Sequence, residues 1–291
     1  SESHQVSASQ RVWLAVLGKH PGWNDHLDDI GLDTERLVAV KRHLYVEGVG
    51  GAINAGTWEA LSEQERDEGF SHTFFWRQAD GMVIGRMWSS SDGKGRSKYP
   101  MIACAMCRSL PFSFVAGPLL ERLRRLEAVC REVTTASDVI GAVDRVKAEV
   151  AELASFAPEL SDAPVVGGES GKGSAAELIE SGRLGEDGVG LKRVLYQMDR
   201  EMGAYVRPEG SGTASRSRSV EVRGQHIRVP TSSGPILPGQ EHRDLSLWAR
   251  LLLNKIDPLV PIFLATKDGR DWVDIIVGEL GPTPLACLQS S

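Results

Sequence analysis

Cysteine is scarce in this chain: 291 residues hold only 4. That excludes the disulfide framework on which small secreted scaffolds depend. Basic charge is not in excess either. Lys and Arg number 33 against 39 Asp and Glu, a net charge of −6. A protein whose main business is coating nucleic acid or anionic lipid is excluded by that balance. No apolar run approaches the length needed to span a bilayer. The opening "SESHQVSASQ" lacks the charged and apolar regions of a signal peptide. The expectation is a cytoplasmic protein with no membrane insertion and no nucleic-acid partner. Short-period repeats are missing as well.

Catalytic signatures are also missing. There is no Gly-x-Ser-x-Gly elbow. "VVGGESGKGS" (165–174) looks like a phosphate-binding loop, but that pattern needs Gly at 166 and Ser or Thr at 173, where Val166 and Gly173 stand. "CAMC" has metal-ligand spacing, yet it lies in the strand-like "YPMIACAMC". Cys104 and Cys107, three apart on a strand, point to opposite faces and read as core.

What is present is core-forming material, 41% hydrophobic against 25% charged, in a chain long enough to bury it. "RVWLAVL" (11–17) reads as a buried strand. "DTERLVAVKRHLYVEG" reads as a helix capped by Asp33 or Thr34 and ended by Gly48. "TWEALSEQERDEG" (57–69) reads as a second, more exposed helix. "HTFFWRQ" and "MVIGRMW" flank "ADG", a hairpin signal, and with "MIACAMC" they make an antiparallel meander. Two helices follow, "GPLLERLRRLEAVCREV" and "SDVIGAVDRVKAEVAELA". "AAELIES" and "LKRVLYQMDREMGAY" carry helical pattern, and "RPEGSGTASRSRS" (207–219) reads as a mobile linker. The last quarter reads strand, helix, strand, strand, with Asp-Gly in "KDGRD" between the final two. The predicted fold class is α+β, an α/β sandwich with a largely antiparallel sheet flanked by helices. One domain is expected over 11–291, with an enlarged middle region at about 132–240.

Two polar loops carry the candidate chemistry. "GKHPGWNDHLDD" (18–29) holds His20, Asp25 and His26, types that bind metals, and His72 could approach from the hairpin. Their spacing fixes no ligand geometry, so no metal and no cofactor are expected, and Asp25 serves equally well as a turn cap. Asp28 and Asp29 are adjacent and read as a solvated loop face. "SSSDGKGRSKYP" (89–100) sets Asp92 among Lys94, Arg96, Lys98 and flexible glycines. Exposed backbone N–H groups and basic side chains suit an anion or a partner carboxylate. An Asp92–Arg96 pair that only pins the loop explains it as well. The basic residues Arg216, Arg218, Arg223 and Arg228 could touch an acidic partner or nucleic acid, but read better as a solvated linker.

"GKHPGWNDH" behind its strand resembles the opening motif of the ImpM/TagF family of type VI secretion-associated proteins. "WSSSDGKGRSKYPM" resembles that family's later Ser/Asp/Gly-Arg/Pro block, and "SLWARLL" its C-terminal Ser-x-Trp-Trp element. The resemblance spans about 11–110 well and the last fifty residues loosely. His26 stands where the family has Phe, Ala249 replaces the second Trp, and the middle is longer, which marks a divergent branch. The resemblance implies a non-enzymatic accessory protein that restrains assembly of a contractile secretion apparatus by binding a forkhead-associated scaffold protein. By motif position it assigns Gly18, Lys19, Pro21 and Asp25 to one loop and Ser91, Asp92, Gly95, Arg96 and Pro100 to the other. The two loops are expected side by side, with Asp25 or Asp92 holding Arg96. The rival reading is a hydrolase or phosphate-handling enzyme using Asp25, His26, Asp92 and Arg96. A weaker one is a phosphopeptide or nucleotide binder built on Lys94, Arg96 and Lys98.

Overall fold

The computed structural model describes residues 10–158 (except 68 and 80), 176, 179–180, 189–202 and 224–291 (except 233, 238 and 254). The readings placed on 165–174, 207–219 and most of "AAELIES" lie outside the described residues.

Seven strands form one sheet in the order β1-β4-β3-β2-β6-β7-β5, and every pair is antiparallel. They are β1 (Val12–Gly18), β2 (Ser71–Gln78), β3 (Gly81–Ser89), β4 (Pro100–Cys107), β5 (Gln225–Pro230), β6 (Ile262–Lys267) and β7 (Trp272–Val277). The α+β class and the meander β2–β3–β4 stand as read. Both faces of the sheet are covered, and β4 is buried at every position. Hence its sequence is a continuous apolar run, not an alternating one. Cys104 packs into one layer and Cys107 into the other.

The first layer contains α3 (Leu120–Glu132), α4 (Ala136–Phe156) and α6 (Glu241–Leu253). Leu120, Leu123, Leu126 and Cys130 are the buried stripe of α3, as their spacing demands. Thr135 caps α4 by accepting from the Asp138 N–H. α5 (Val189–Met202) touches β5.

The second layer is built from α1 (Glu35–Ala39), a π-helix (Val40–Gly50), α2 (Gly51–Asn54), Trp58 and the C-terminal turn that includes α7 (Pro282–Leu285). Thr34 caps α1. Gly48 does not end this helix. A Cβ at Gly48 would lie 2.2 Å from Leu285 Cδ1, and one at Gly51 2.8 Å from Pro282 Cγ, so these glycines admit the C-terminal turn. The left-handed stop comes later, at Gly56 (φ 64°).

The helix expected at 57–69 is also corrected: the segment is a series of turns. Its local backbone bonds close separate turns, Ala60 N–H to Gly56 O, Leu61 N–H to Trp58 O, and Glu65 and Arg66 N–H to Ser62 O, and its far end bonds outside the segment. Asp67 N–H donates to Gln289 O and Ser291 N–H to Glu65 O, tying the segment to the chain's last residues.

One further feature positions the site. β1 lies at a sheet edge, yet its outer side is not bare. The loop after β1 turns back along it, with Leu27 N–H donating to Gly18 O and Val16 and Ile30 exchanging both backbone bonds. This blunts an apolar strand edge.

Candidate functional site

Gly18 begins the returning loop with φ 108°, and a Cβ there would lie 2.2 Å from Pro100 O. Only glycine tolerates both conditions. Lys19 follows, and its N–H donates to Pro100 O. Its side chain turns inward and is nearly inaccessible, as is Asp92 from the second loop; Nζ and Oδ2 meet at 2.5 Å. The pair spans 73 positions of sequence.

Asp92 collects four donors. Oδ1 accepts from the Lys94 and Arg96 N–H groups, each at 3.0 Å, and Oδ2 accepts from Lys19 Nζ and from Arg96 Nε at 2.7 Å. Desolvation pushes its carboxyl upward, but these hydrogen bonds outweigh that and hold it well below the usual carboxylate range. Gly95 (φ 78°) makes the turn that allows this wrapping.

Arg96 extends from the wrapped loop across to the first one. Its Nη2 donates to Asn24 O at 3.0 Å and meets Asp25 Oδ1 at 3.2 Å. Gly93 N–H donates to Trp23 O at 2.7 Å, a second stitch between the loops. Arg96 and Asp25 remain 52% and 68% exposed, so the outward face of the pair consists of accessible charge over a buried clamp. Desolvation works against ionisation of Asp25, but Arg96, Lys19 and His26 outweigh it and lower its pKa.

Thus the structure brings the predicted residues together. Gly18, Lys19, Asp25, Asp92, Gly95, Arg96 and Pro100 form one continuous junction. Pro21 is exposed on the turn, and Ser91 is half-buried beside Asp92. Of the metal-capable types, Asp25 and His26 meet at 3.1 Å, but His20 and His72 lie apart from them. His20 is fully buried, accepts from Gly22 N–H at Nδ1, and meets Cys130 O through Nε2 at 2.9 Å, so both ring nitrogens are used. Burial lowers its pKa, which keeps it neutral. His72 is buried with Lys267 and Arg86 in another cluster, and the same causes push it down to about 3. Lys98 pairs with Glu59 at 3.5 Å.

Sequence reasoning missed two assemblies. A buried Arg86 on β3 bonds Glu127 (2.7 Å), Asp268 (2.8 Å) and Thr73 (2.7 Å). An arginine inside the apolar run "MVIGRMW" was the available signal. Among the described residues, His226, Asp274 and Cys287 bring three metal-ligating types within 4.8 Å. Arg228 already occupies that carboxylate at 2.8 and 3.2 Å, so the charge a cation would need is met. Arg228 is not solvated as expected but half-buried, bonded to Asp274 and to the Cys287 and Ser290 carbonyls, while Arg216, Arg218 and Arg223 lie outside the described residues.

No family model and no curated protein matches the chain. Among solved structures, the crystal structure of PA0076 from Pseudomonas aeruginosa PAO1 is similar at a TM-score of 0.35 and 17% identity. The match covers 46% of this chain and 61% of that one. A likeness of that size carries no argument about function. Among the described residues no helix is long and apolar enough to cross a membrane.

Proposed function

We propose that the junction of the two loops is a protein-docking surface, and that this chain is a cytoplasmic, non-enzymatic accessory protein of a type VI-like contractile secretion system. The observation that carries the docking reading is the buried Lys19–Asp92 pair, which immobilises Arg96 and Asp25 while leaving both accessible. A charged group held in place loses little entropy on binding, and fixed arginines are frequent interface anchors. The motif resemblance supplies the secretion-system context and the forkhead-associated scaffold as the partner to test first. Asp92 is a poor general base because both its oxygens are already committed to cations and N–H groups. That weighs against the hydrolytic alternative.

The test is affinity capture from a lysate of the native host, comparing wild type with folded Asp25→Ala and Arg96→Ala chains. The expected outcome is a secretion-apparatus protein retained by the wild type and reduced about tenfold or more by each substitution. An unchanged catch with both variants would sink the docking surface.

A further inference from the structure

The longest exposed run in the junction follows Asp92. Every residue from Gly93 to Lys98 is exposed, and the run holds the cations Lys94, Arg96 and Lys98 with no acid among them. Its base is fixed. Asp92 N–H donates to Arg96 O and Gly95 N–H to Asp92 O, which closes the turn on itself. Gly93 N–H donates to Trp23 O, which stitches the turn to the first loop.

Within the clamp, charge is balanced: Lys19 and Arg96 face Asp25 and Asp92. Outside it the run is left positive. Lys94 forms no ion pair with any described residue, and Lys98 reaches Glu59 only at 3.5 Å, with both side chains exposed. The other acids of the first loop are engaged elsewhere, Asp29 with Lys41 and Asp28 with Trp23 Nε1 at 3.4 Å. Arg96 commits Nε to Asp92 and Nη2 to Asn24 O and Asp25. Its Nη1 has no hydrogen-bond partner among the described residues. The same is true of the Ser97 and Lys98 N–H groups and of the Ser97 hydroxyl. Unused donors and unbalanced cations therefore share one short, anchored run.

We propose that Lys94–Lys98 receives an acidic segment of the docked protein, with aspartate or glutamate carboxylates set against Lys94, Arg96 Nη1 and Lys98. Carboxylates suit the run better than a phosphate does. A phosphate is gripped best by a two-pronged guanidinium, and Arg96 has one nitrogen left to offer. Separate monoanions match cations that are themselves separated along the chain. Arg96 is held in place before the partner arrives, so its contact loses little entropy. The inference rests on the docking reading and names what the partner must carry, but its first test needs no partner.

The peptide acetyl-Gly-Glu-Gly-Glu-Gly-Glu-Gly-amide would be titrated into the full, isotope-labelled chain at low salt. One control peptide has glutamine at all three acidic positions. A second has phosphoserine at the central position and glutamine at the other two. The expected result is saturable shifts of the Ser97 and Lys98 amides with the glutamate peptide, and binding at least about tenfold weaker with the glutamine one. Raising ionic strength from about 0.01 to about 0.15 M should weaken the glutamate peptide several-fold. Joint Lys94→Gln and Lys98→Gln substitution should weaken it about tenfold and leave the melting temperature level, because both side chains are exposed. Absence of saturable shifts at these amides, or glutamine binding within about twofold of glutamate, would overturn the proposal. So would phosphoserine binding more than about tenfold tighter than glutamate. If the glutamate peptide fails while Asp25→Ala and Arg96→Ala still lose the captured partner, the acidic segment is refuted and the docking surface stands.

Discussion

At Asp92, four donors around two oxygens make the carboxylate the centre of the loop junction. Its pKa is held below the unfolded value near 4, so its contribution is complete above that value and is lost as pH falls toward the folded one. His72 acts over a higher window. It is neutral when folded, at about 3, but binds a proton in the unfolded chain below about 6.5. Between those values the unfolded state takes up more protons, so stability falls with acidity by up to about 1.4 kcal/mol per pH unit. The expectation is a wild-type urea midpoint that declines from near pH 6.5 downward. His72→Phe should flatten the upper part of that decline and Asp92→Asn the part below about pH 4. Parallel pH profiles for all three chains would contradict both assignments. The loops themselves were legible because Gly, Pro and Asp announce turns wherever they cluster. The Lys19–Asp92 bond joining them was not: the motif resemblance places Lys19 in the first loop, but nothing local reveals a partner 73 positions away.

Among elements, the returning loop depends on glycines that do different work. Gly18 combines φ 108° with a Cβ position 2.2 Å from a carbonyl oxygen, whereas Gly95 has φ 78° and open space around it. Gly18→Ala should therefore cost about 3 kcal/mol and Gly95→Ala only about 1 kcal/mol. Thermal melts of the two variants check this, and equal losses would show that conformation alone, not the contact with Pro100, sets the cost. Strands and long helices were legible from their periodicity, as the buried stripe of α3 shows. Where the reading failed, tertiary contacts decided. Gly48 looks like a helix stop until Leu285 arrives against it, and 57–69 closes local turns in place of a helical ladder, with its far end bonded to the C-terminal residues. The π-helix carries no mark in composition. Its stretch has the apolar content of an ordinary amphipathic helix, and the change in period emerges only from packing.

Across the whole molecule, pairing of β2 with β6 joins the early meander to the late hairpin, across roughly 190 positions of sequence. The two covered faces then place every thiol out of reach. Cys104 and Cys130 are pushed up to about 12, and Cys107 and Cys287 are raised as well, by burial in each case. Cys104 faces one layer and Cys107 the other; Cys130 sits on α3 and Cys287 in the C-terminal turn. These four atoms form a built-in set of clocks. Under a neutral pulse of an alkylating reagent, each should be modified only as fast as its own surroundings open. We expect Cys287 to react first, because its turn is short and it is the least deeply buried of the four, and Cys104 and Cys107 to react together and last. Digestion and mass spectrometry after a series of pulses would read the order directly. Modification of Cys104 well ahead of Cys107 would mean that the layer built on the π-helix can lift from the sheet while the opposite layer stays closed.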